Sequence, residues 1–267
     1  MLCFGPFENG EKMVISKNCI SRRFESYIRH FDMSDPQVML KVVHSERVAS
    51  NAEIIAGGLG LSSEDIDLAW ALGMLHDIGR FEQIARYHTF SDGRSMNHAA
   101  YGAKYLFDEG HIRDFVEDPS EDGLMERAIA LHGAYELPSG LSERELLFCQ
   151  LLRDADKADI FRVYAAYSDH PEIIWNVSRE KFERSKLTDE VYEMALTRKS
   201  IPTSIKKEPL DFYVGGLAMY FDVNFAVTRK LILEQGYLAK FMDFHSEEEE
   251  TERRLTEVKK LIFPPAE

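Results

Sequence analysis

Apolar residues recur with helical spacing along most of the chain. In the segment PQVMLKVVHSERVASNAEIIAGGLGL their pattern repeats with a period close to 3.6 residues, the period of an α-helix. The positions that set this period are Val42, Val43, Val48, Ala49, Ala52, Ile55 and Ala56. The pair Gly57 and Gly58 predicts the end of this helix. The sequence lacks alternating apolar and polar runs of useful length for strands, so the pattern predicts an all-α protein.

The next segment, SSEDIDLAWALGMLHDIG, predicts a buried helix because apolar residues cover most of its length. Ser62 and Asp65 have the spacing of a capping box at its start, with Ser63 and Ile66 as a weaker register. Gly79 is predicted to end the helix. Three more helical segments follow after polar loops: HAAYGAKYLFDEG, MERAIALHGAYEL and RELLFCQLLRDADKADIFRVYAAYSD.

The C-terminal third shows weaker helical patterns, around residues 189–198 and 214–240. Its last charged segment, HSEEEETERRLTEVKK, is predicted to be a solvated terminal helix. The segment GGLAMYFDVNFAVTRKLILEQGYLAKFMDF is rich in aromatic residues and methionine, which is typical of core packing. This segment could also cover a site or form a dimer surface, so oligomerisation stays open.

Hydrophobic residues make up 45% of the 267 residues, which is typical of an ordinary globular protein with a sizeable core. No apolar run approaches the roughly 20 residues that a membrane-spanning helix needs. The first residues, MLCFGPFENGEKMV, lack the basic region, the long apolar stretch and the cleavage site of an export signal. We therefore expect a soluble, cytoplasmic protein with no membrane partner.

The cysteine content and the net charge limit which metal ligands and which binding partners the protein can have. Cys3, Cys19 and Cys149 are too few and too widely spaced for a disulfide framework or a thiolate zinc site. Any metal would therefore be held by histidine and carboxylate side chains. The formal net charge of −14 argues against binding to duplex nucleic acid. It still allows a small phosphorylated substrate to meet a few cationic groups in a local cleft.

Histidine and aspartate residues lie at the ends or inner turns of the predicted helices. They are His44, His76, Asp77, His98, His132 and the acidic cluster at residues 154–159. Imidazole and carboxylate ligands suit Mn, Fe, Co, Ni and Zn, and a helix bundle can project them inward. Asp77 has a further property, because the two oxygens of one carboxylate can bridge two metal ions. The other histidines are predicted to be hydrogen-bonded core or surface residues: His30, His88, His111, His170 and His245.

The order of these motifs resembles the HD superfamily of metal-dependent phosphohydrolases. The sequence HDIG stands at residues 76–79 and ADKAD at 155–159, and the likeness covers roughly residues 40–165. The histidines in NHAAYGAKYLF and IALHGAYELP are similar to those of the subset that binds two metals. The closest likeness is to uncharacterised bacterial HD-domain proteins. The resemblance implies an HD-domain helical bundle at about 40–165 with additional C-terminal helices at about 166–267, within a single all-α domain spanning 1–267.

The resemblance also implies a set of metal ligands. Two divalent transition-metal ions (Fe, Mn, Zn, Co or Ni) would be held by His44, His76, Asp77, His98, His132 and Asp156. Asp77 would bridge the two ions, with His98 and His132 on the second ion. The family pattern of Ala-Asp followed by a basic or polar residue selects Asp156, with Asp154 as the alternative.

Two cationic residues adjoin these motifs and are candidate catalytic residues together with Asp77. Arg80 follows HDIG and would stabilise charge on a phosphate. Lys157 follows Asp156, and in related nucleotide triphosphohydrolases the lysine at this place contacts phosphate. A surface salt bridge or a charge at a helix C-terminus is the alternative for both cations. The loop RYHTFSDGRS is a candidate lid, with a plain connection as the alternative.

These features predict a metal-dependent phosphohydrolase that cleaves a phosphomonoester or phosphodiester of a nucleotide-like small molecule with a metal-activated hydroxide. The segment HGAYELPSG lacks the Gly-Tyr-Pro motif of the cyclic-dinucleotide phosphodiesterases, which argues against that substrate. Two alternatives stay open. One is a di-iron oxygenase of the HD fold, whose ligand order is the same, and the other is a non-catalytic nucleotide-binding regulatory module.

Overall fold

The computed structural model describes residues 15–263, and every regular element in this range is helical. This confirms the all-α prediction. The chain forms two compact units, Met1–Asp156 and Lys157–Glu267, and the boundary between them falls inside the helix Glu143–Ala166. The single domain expected over residues 1–267 stays a prediction.

The first unit is built from α1 to α6 and the first part of α7. These helices are α1 (Lys17–Ile28), α2 (Pro36–Gly58), α3 (Ser63–Leu75), α4 (Ile78–Tyr87), α5 (His98–Ala103), α6 (Asp122–Leu131) and α7 (Glu143–Ala166). A π-helical turn, Lys104–Asp108, continues α5, and short 3-10 turns cover Asp92–Arg94 and His111–Asp114. Helices α2, α3, α5, α6 and α7 match the segments with helical periodicity, whereas α1 and α4 were not predicted from the sequence.

Helices α2 and α3 pack closely against each other in this unit. Ser62 caps α3, since its hydroxyl accepts a hydrogen bond of 3.2 Å from the backbone N–H of Asp65, as the capping pattern predicted. Gly73 lies so near α2 that a Cβ atom there would stand 2.6 Å from the Cα of Ala49. Because a glycine is needed for this approach, the packing fixes the C-terminal end of α3, where the candidate ligands begin.

The prediction that Gly79 ends a helix is wrong. Helix α3 ends earlier, at Leu75, and the next two residues form a turn before α4 begins at Ile78. Gly79 lies in the first turn of α4, where a Cβ atom would overlap the carbonyl oxygen of His98 and stand 2.9 Å from the backbone nitrogen of Gly102. Gly79 is therefore required for the close packing of α4 on α5 and not for a helix end.

The second unit continues from α7 through shorter helices. These are α8 (Pro171–Trp175), α9 (Arg179–Glu183), α10 (Asp189–Leu196), α11 (Pro209–Ala218), α12 (Ala226–Gln235), α13 (Tyr237–Phe241) and α14 (Glu249–Ile262). Short 3-10 turns cover Thr203–Ile205 and Met219–Asp222. Their core is aromatic, with Phe182, Tyr213 and Phe241 each at most 2% exposed.

Two expectations for the C-terminal third are revised. The pattern at 214–240 is not one helix, because Gly236 takes a left-handed conformation (φ 72°) and separates α12 from α13. Helix α14 is amphipathic and not simply solvated, because it buries Leu255, Val258 and Ile262 in the core of this unit.

Among residues 15–263, no helix has both the length and the apolar character needed to cross a bilayer. Cys19 and Cys149 are both buried, and Cys149 is a free thiol. Cys3 and the segment MLCFGPFENGEKMV, on which the absence of an export signal was judged, lie outside the described residues.

Candidate metal centre

The structure brings together all six residues that the sequence singled out as metal ligands. They come from α2 (His44), the turn after α3 (His76 and Asp77), the start of α5 (His98), the residue after α6 (His132) and α7 (Asp156). They form three overlapping groups in which one ligand atom from each residue lies within 4.8 Å of the others: His44–His76–Asp77, His76–His132–Asp156 and Asp77–His98–His132. Except for Asp156, which is partly buried, these residues are buried. Their convergence makes this cluster the candidate metal centre.

The two oxygens of Asp77 face different pairs of histidines. Oδ2 lies 3.5 Å from Nε2 of His44 and 3.4 Å from Nε2 of His76. Oδ1 lies 3.3 Å from Nε2 of His98 and 3.6 Å from Nε2 of His132. One carboxylate therefore stands between two sets of imidazole nitrogens, which is the arrangement a bridging ligand requires.

Asp156, and not Asp154, belongs to these groups. Its Oδ1 lies 3.0 Å from Nε2 of His44 and 3.8 Å from Nε2 of His76. Asp154 is buried but joins none of the three groups of the described residues. Two positions along a helix turn the side-chain direction by about 200°, so the two aspartates point to opposite sides of α7.

The histidine rings are oriented by hydrogen bonds from Nδ1. Nδ1 of His76 donates to the carbonyl of Gly73, and Nδ1 of His132 donates to the carbonyl of Ile129, each at 2.7 Å. Because a carbonyl can only accept, the hydrogen is on Nδ1, and the lone pair of Nε2 faces the cluster. Nε2 of His76 is buried and has no hydrogen-bond partner among the described residues. An unsatisfied imidazole lone pair beside carboxylates fits a transition-metal ion.

His98 is held by an aspartate that the sequence reasoning missed. Its Nδ1 lies 2.8 Å from Oδ2 of Asp92, and its Nε2 lies 3.1 Å from Nε2 of His132. Burial and the nearby charge of Arg80 lower the pKa of His98 to about 4, so the ring is neutral near pH 7. The Nε2 lone pairs of His98 and His132 face each other at this distance and repel. A cation bound to both nitrogens would remove this repulsion.

Lys41 is the second residue that the sequence reasoning missed. Its Nζ lies 2.6 Å from Oδ2 of Asp77. Burial alone would raise the pKa of Asp77, but the adjacent charge of Lys41 outweighs it, and the pKa lies well below its usual range. Lys41 stands one turn before His44 on α2, so an i, i+3 spacing was the available signal.

In the described part of the chain, the Arg80 guanidinium is hydrogen-bonded through Nη1 but not through Nε. Its Nη1 donates to the carbonyl of Phe90 at 2.7 Å and to Asp92 at 2.9 Å. Its Nε is buried without a hydrogen-bond partner among the described residues and lies 3.7 Å from Oδ1 of Asp77. Gln83 also binds the loop, donating to Oγ of Ser95 at 2.8 Å. These bonds favour a plain connection over a lid for the loop RYHTFSDGRS.

Lys157 has a carboxylate partner in the second unit, since its Nζ lies 2.8 Å from Oδ2 of Asp222. The contact of Lys157 with a substrate phosphate stays a prediction. The five histidines expected outside the site do lie outside the three groups, and none of them is fully buried: His30, His88, His111, His170 and His245.

Comparison with known proteins identifies the part of the chain that contains this cluster. The family model of the HD domain matches residues 42–163, which include all six clustered residues. Neither the curated proteins nor the solved structures gave a significant match. HD-domain proteins bind divalent metals and are mostly metal-dependent phosphohydrolases. Residues 42–163 therefore form an HD domain, as the order of their motifs predicted.

Proposed function

We propose that this protein is a phosphohydrolase whose centre holds two divalent transition-metal ions. The observation that carries the proposal is the division of the Asp77 oxygens between two histidine pairs. The first ion would take His44, His76, Asp156 and Oδ2 of Asp77. The second ion would take His98, His132 and Oδ1 of Asp77. The metal would be Fe, Mn, Zn, Co or Ni, since imidazole and carboxylate donors suit all five.

Ions bound at this centre would supply Lewis acidity, both for activating a water molecule and for neutralising a phosphoryl oxygen. The protein's own part is to orient the groups. Asp77 fixes the spacing of the two ligand sets, and the Nδ1 hydrogen bonds of His76 and His132 keep their Nε2 atoms facing inward. This orientation is present before any substrate binds, which is what electrostatic preorganisation requires.

The cations beside the cluster support a phosphorylated substrate. Lys41 and Arg80 both reach Asp77, at 2.6 Å and 3.7 Å, and the side chain of each is less than one-sixth exposed. Two cations this close to a carboxylate-rich centre can attract a phosphate even though the chain carries a formal charge of −14. We therefore propose a phosphomonoester or phosphodiester of a nucleotide-like small molecule as the substrate. Lys157 is proposed as a further phosphate contact and duplex nucleic acid is not a proposed partner.

The decisive experiment measures metal content and turnover in parallel. The protein is loaded with each of the five metals and assayed on nucleoside monophosphates, nucleoside triphosphates and cyclic nucleotides. The variant Asp77→Ala should lose turnover of every substrate while it stays folded. Asp114→Ala is the matched control, because Asp114 also faces an imidazole (His111, 3.2 Å) but is exposed and outside the cluster.

Two results would overturn the proposal. A wild-type protein that binds metal but turns over no phosphoester would favour the regulatory binding module. Two irons after anaerobic purification, with oxygen uptake that depends on substrate, would favour the di-iron oxygenase.

A further inference from the structure

His98 differs from the other oriented histidines in where its ring hydrogen bond goes. His76 and His132 each donate from Nδ1 to a carbonyl three residues earlier in their own helix. His98 is the first residue of α5, and Ser95, three residues earlier, lies outside that helix. The helix therefore has no carbonyl in the corresponding place, and the ring must be held by another group.

Asp92 provides that group from the 3-10 turn before α5. Its carboxylate lies 2.9 and 2.8 Å from Nδ1 of His98, through Oδ1 and Oδ2 respectively. The same Oδ1 accepts hydrogen bonds from Nη1 of Arg80 and Nε2 of Gln83, each at 2.9 Å. Gln83 is fully buried, so the acceptor is fixed by an interior side chain as well as by charge.

We propose that Asp92 is the positioning residue of this centre, holding the His98 ring and the Arg80 guanidinium through one carboxylate. The proposal rests on the proposed function insofar as His98 is a ligand of the second ion. An ionised carboxylate is a stronger acceptor than a carbonyl and donates more electron density to the ring, which strengthens Nε2 as a ligand. Asp92 also fixes Nη1 of Arg80 and thereby leaves Nε directed toward Oδ1 of Asp77, 3.7 Å away.

Charge explains why a carboxylate suits this position. The Arg80 guanidinium stands beside His98, and a cation there reduces the affinity of the ring for a second positive charge. The Asp92 carboxylate lies 2.9 Å from Nη1 of Arg80 and 2.8 Å from Nδ1 of His98, so its negative charge offsets the arginine charge where the second ion would bind.

The test uses the full-length protein and the variants Asp92→Ala and Asp92→Asn. Calorimetric titration of the metal-free protein with Mn²⁺ measures the affinity of each ion. Asp92→Ala should weaken the binding of one of the two ions by roughly 10–100-fold and weaken the other far less. Asp92→Asn should give an intermediate loss, because its amide oxygen still accepts from His98 but carries no charge. Asp114→Ala serves as the control for an exposed carboxylate–histidine pair and should bind both ions normally.

A second measurement separates this proposal from the proposed function. Nitrogen-15 NMR of the imidazole rings in the metal-free protein reports which nitrogen carries the hydrogen. His98 should be a single Nδ1–H tautomer in the wild type and a mixture of tautomers in Asp92→Ala. An unchanged tautomer together with unchanged Mn²⁺ affinities would overturn the role of Asp92. A wild type that binds fewer than two ions would overturn the two-metal function, while the NMR comparison would still decide the role of Asp92.

Discussion

Lys41 and Asp77 form a buried ion pair, with the lysine Nζ 2.6 Å from Oδ2 of the aspartate. The same oxygen faces the histidine pair proposed for the first ion. The ammonium therefore neutralises the Asp77 carboxylate in the metal-free protein, and a metal ion on Oδ2 would compete with it. The Phe90 ring, 5.5 Å from Nζ, gives the lysine a second favourable contact.

Replacing Lys41 with methionine should destabilise the metal-free protein by about 3 kcal/mol, because it leaves the buried Asp77 carboxylate without its cation. Urea unfolding in the presence of a chelator measures this loss. Added Mn²⁺ should restore more stability to Lys41→Met than to the wild type, since the ion then meets no competing ammonium. Lys104→Met is the control, because Lys104 is exposed and its ion pair within residues 15–263 is with Glu109, at 3.3 Å. Equal stability of the two variants would contradict this account of the ion pair.

Some histidines of the cluster belong to a single one of the three ligand groups. Replacing such a histidine should remove one metal ion and leave the other bound. His98 occurs only in the group with Asp77 and His132, and His44 only in the group with His76 and Asp77. His98→Ala and His44→Ala should therefore each lower the metal content from two ions to one. Elemental analysis after equilibration with Mn²⁺ measures the stoichiometry, with the surface variant His111→Ala as control. Two ions retained in both variants would refute the proposed ligand division.

Gly79→Ala should lower the free energy of unfolding by about 1–3 kcal/mol, although alanine favours helices. The added methyl group would overlap the backbone carbonyl of His98, which cannot move aside as a flexible side chain could. Urea unfolding measures the effect. Gly93→Ala is the comparison, because a Cβ built there has no atom of the other described residues, its chain neighbours apart, within 4 Å. If both variants were equally stable, the close packing of α4 on α5 would not require a glycine at position 79.

Cys149 should make the protein less stable in alkali. Burial raises the pKa of its thiol from 9.0 to about 11. The unfolded chain therefore loses this proton before the folded chain does, and stability falls as the pH rises from about 9 to about 11. The total loss is at most about 2.7 kcal/mol for two pKa units.

The comparison for this effect is Cys149→Ala, whose unfolding free energy should depend less on pH over the same interval. Tyrosine and lysine residues titrate in both proteins, so only the difference between the two slopes reports the thiol. Identical slopes between pH 9 and pH 11 would show that the thiol does not contribute.

The helical segments and the clustered residues could be predicted from the sequence, because both leave local signals in it. Helical periodicity is local, so α2, α3 and α7 could be recognised from their own residues. The six clustered residues stand out because histidine and aspartate at the ends of apolar helices are chemically unusual. Asp156 could be preferred over Asp154 only by the family pattern, whereas the structure separates them by the direction in which each points from α7.

The residues that surround the cluster could not be predicted from local sequence patterns. Asp92 stands in a polar loop, six residues before His98, and no helical or strand period connects the two positions. Its role depends on how α4 and α5 pack, which is a tertiary property. The turn at His76 and Asp77 was also missed, because the apolar pattern continues through it to Ile78.

The shared carboxylate has a consequence for the order in which metals are loaded. If Asp77 holds two ions as proposed, they would not bind independently, because an ion on Oδ2 would fix the carboxylate plane that Oδ1 presents to the other ion. Thermodynamic linkage would make this influence reciprocal, so each ion would change the affinity of the other by the same factor. We therefore expect that the two ions do not titrate as independent sites, and that the amount of singly loaded protein departs from the amount that independent binding would give.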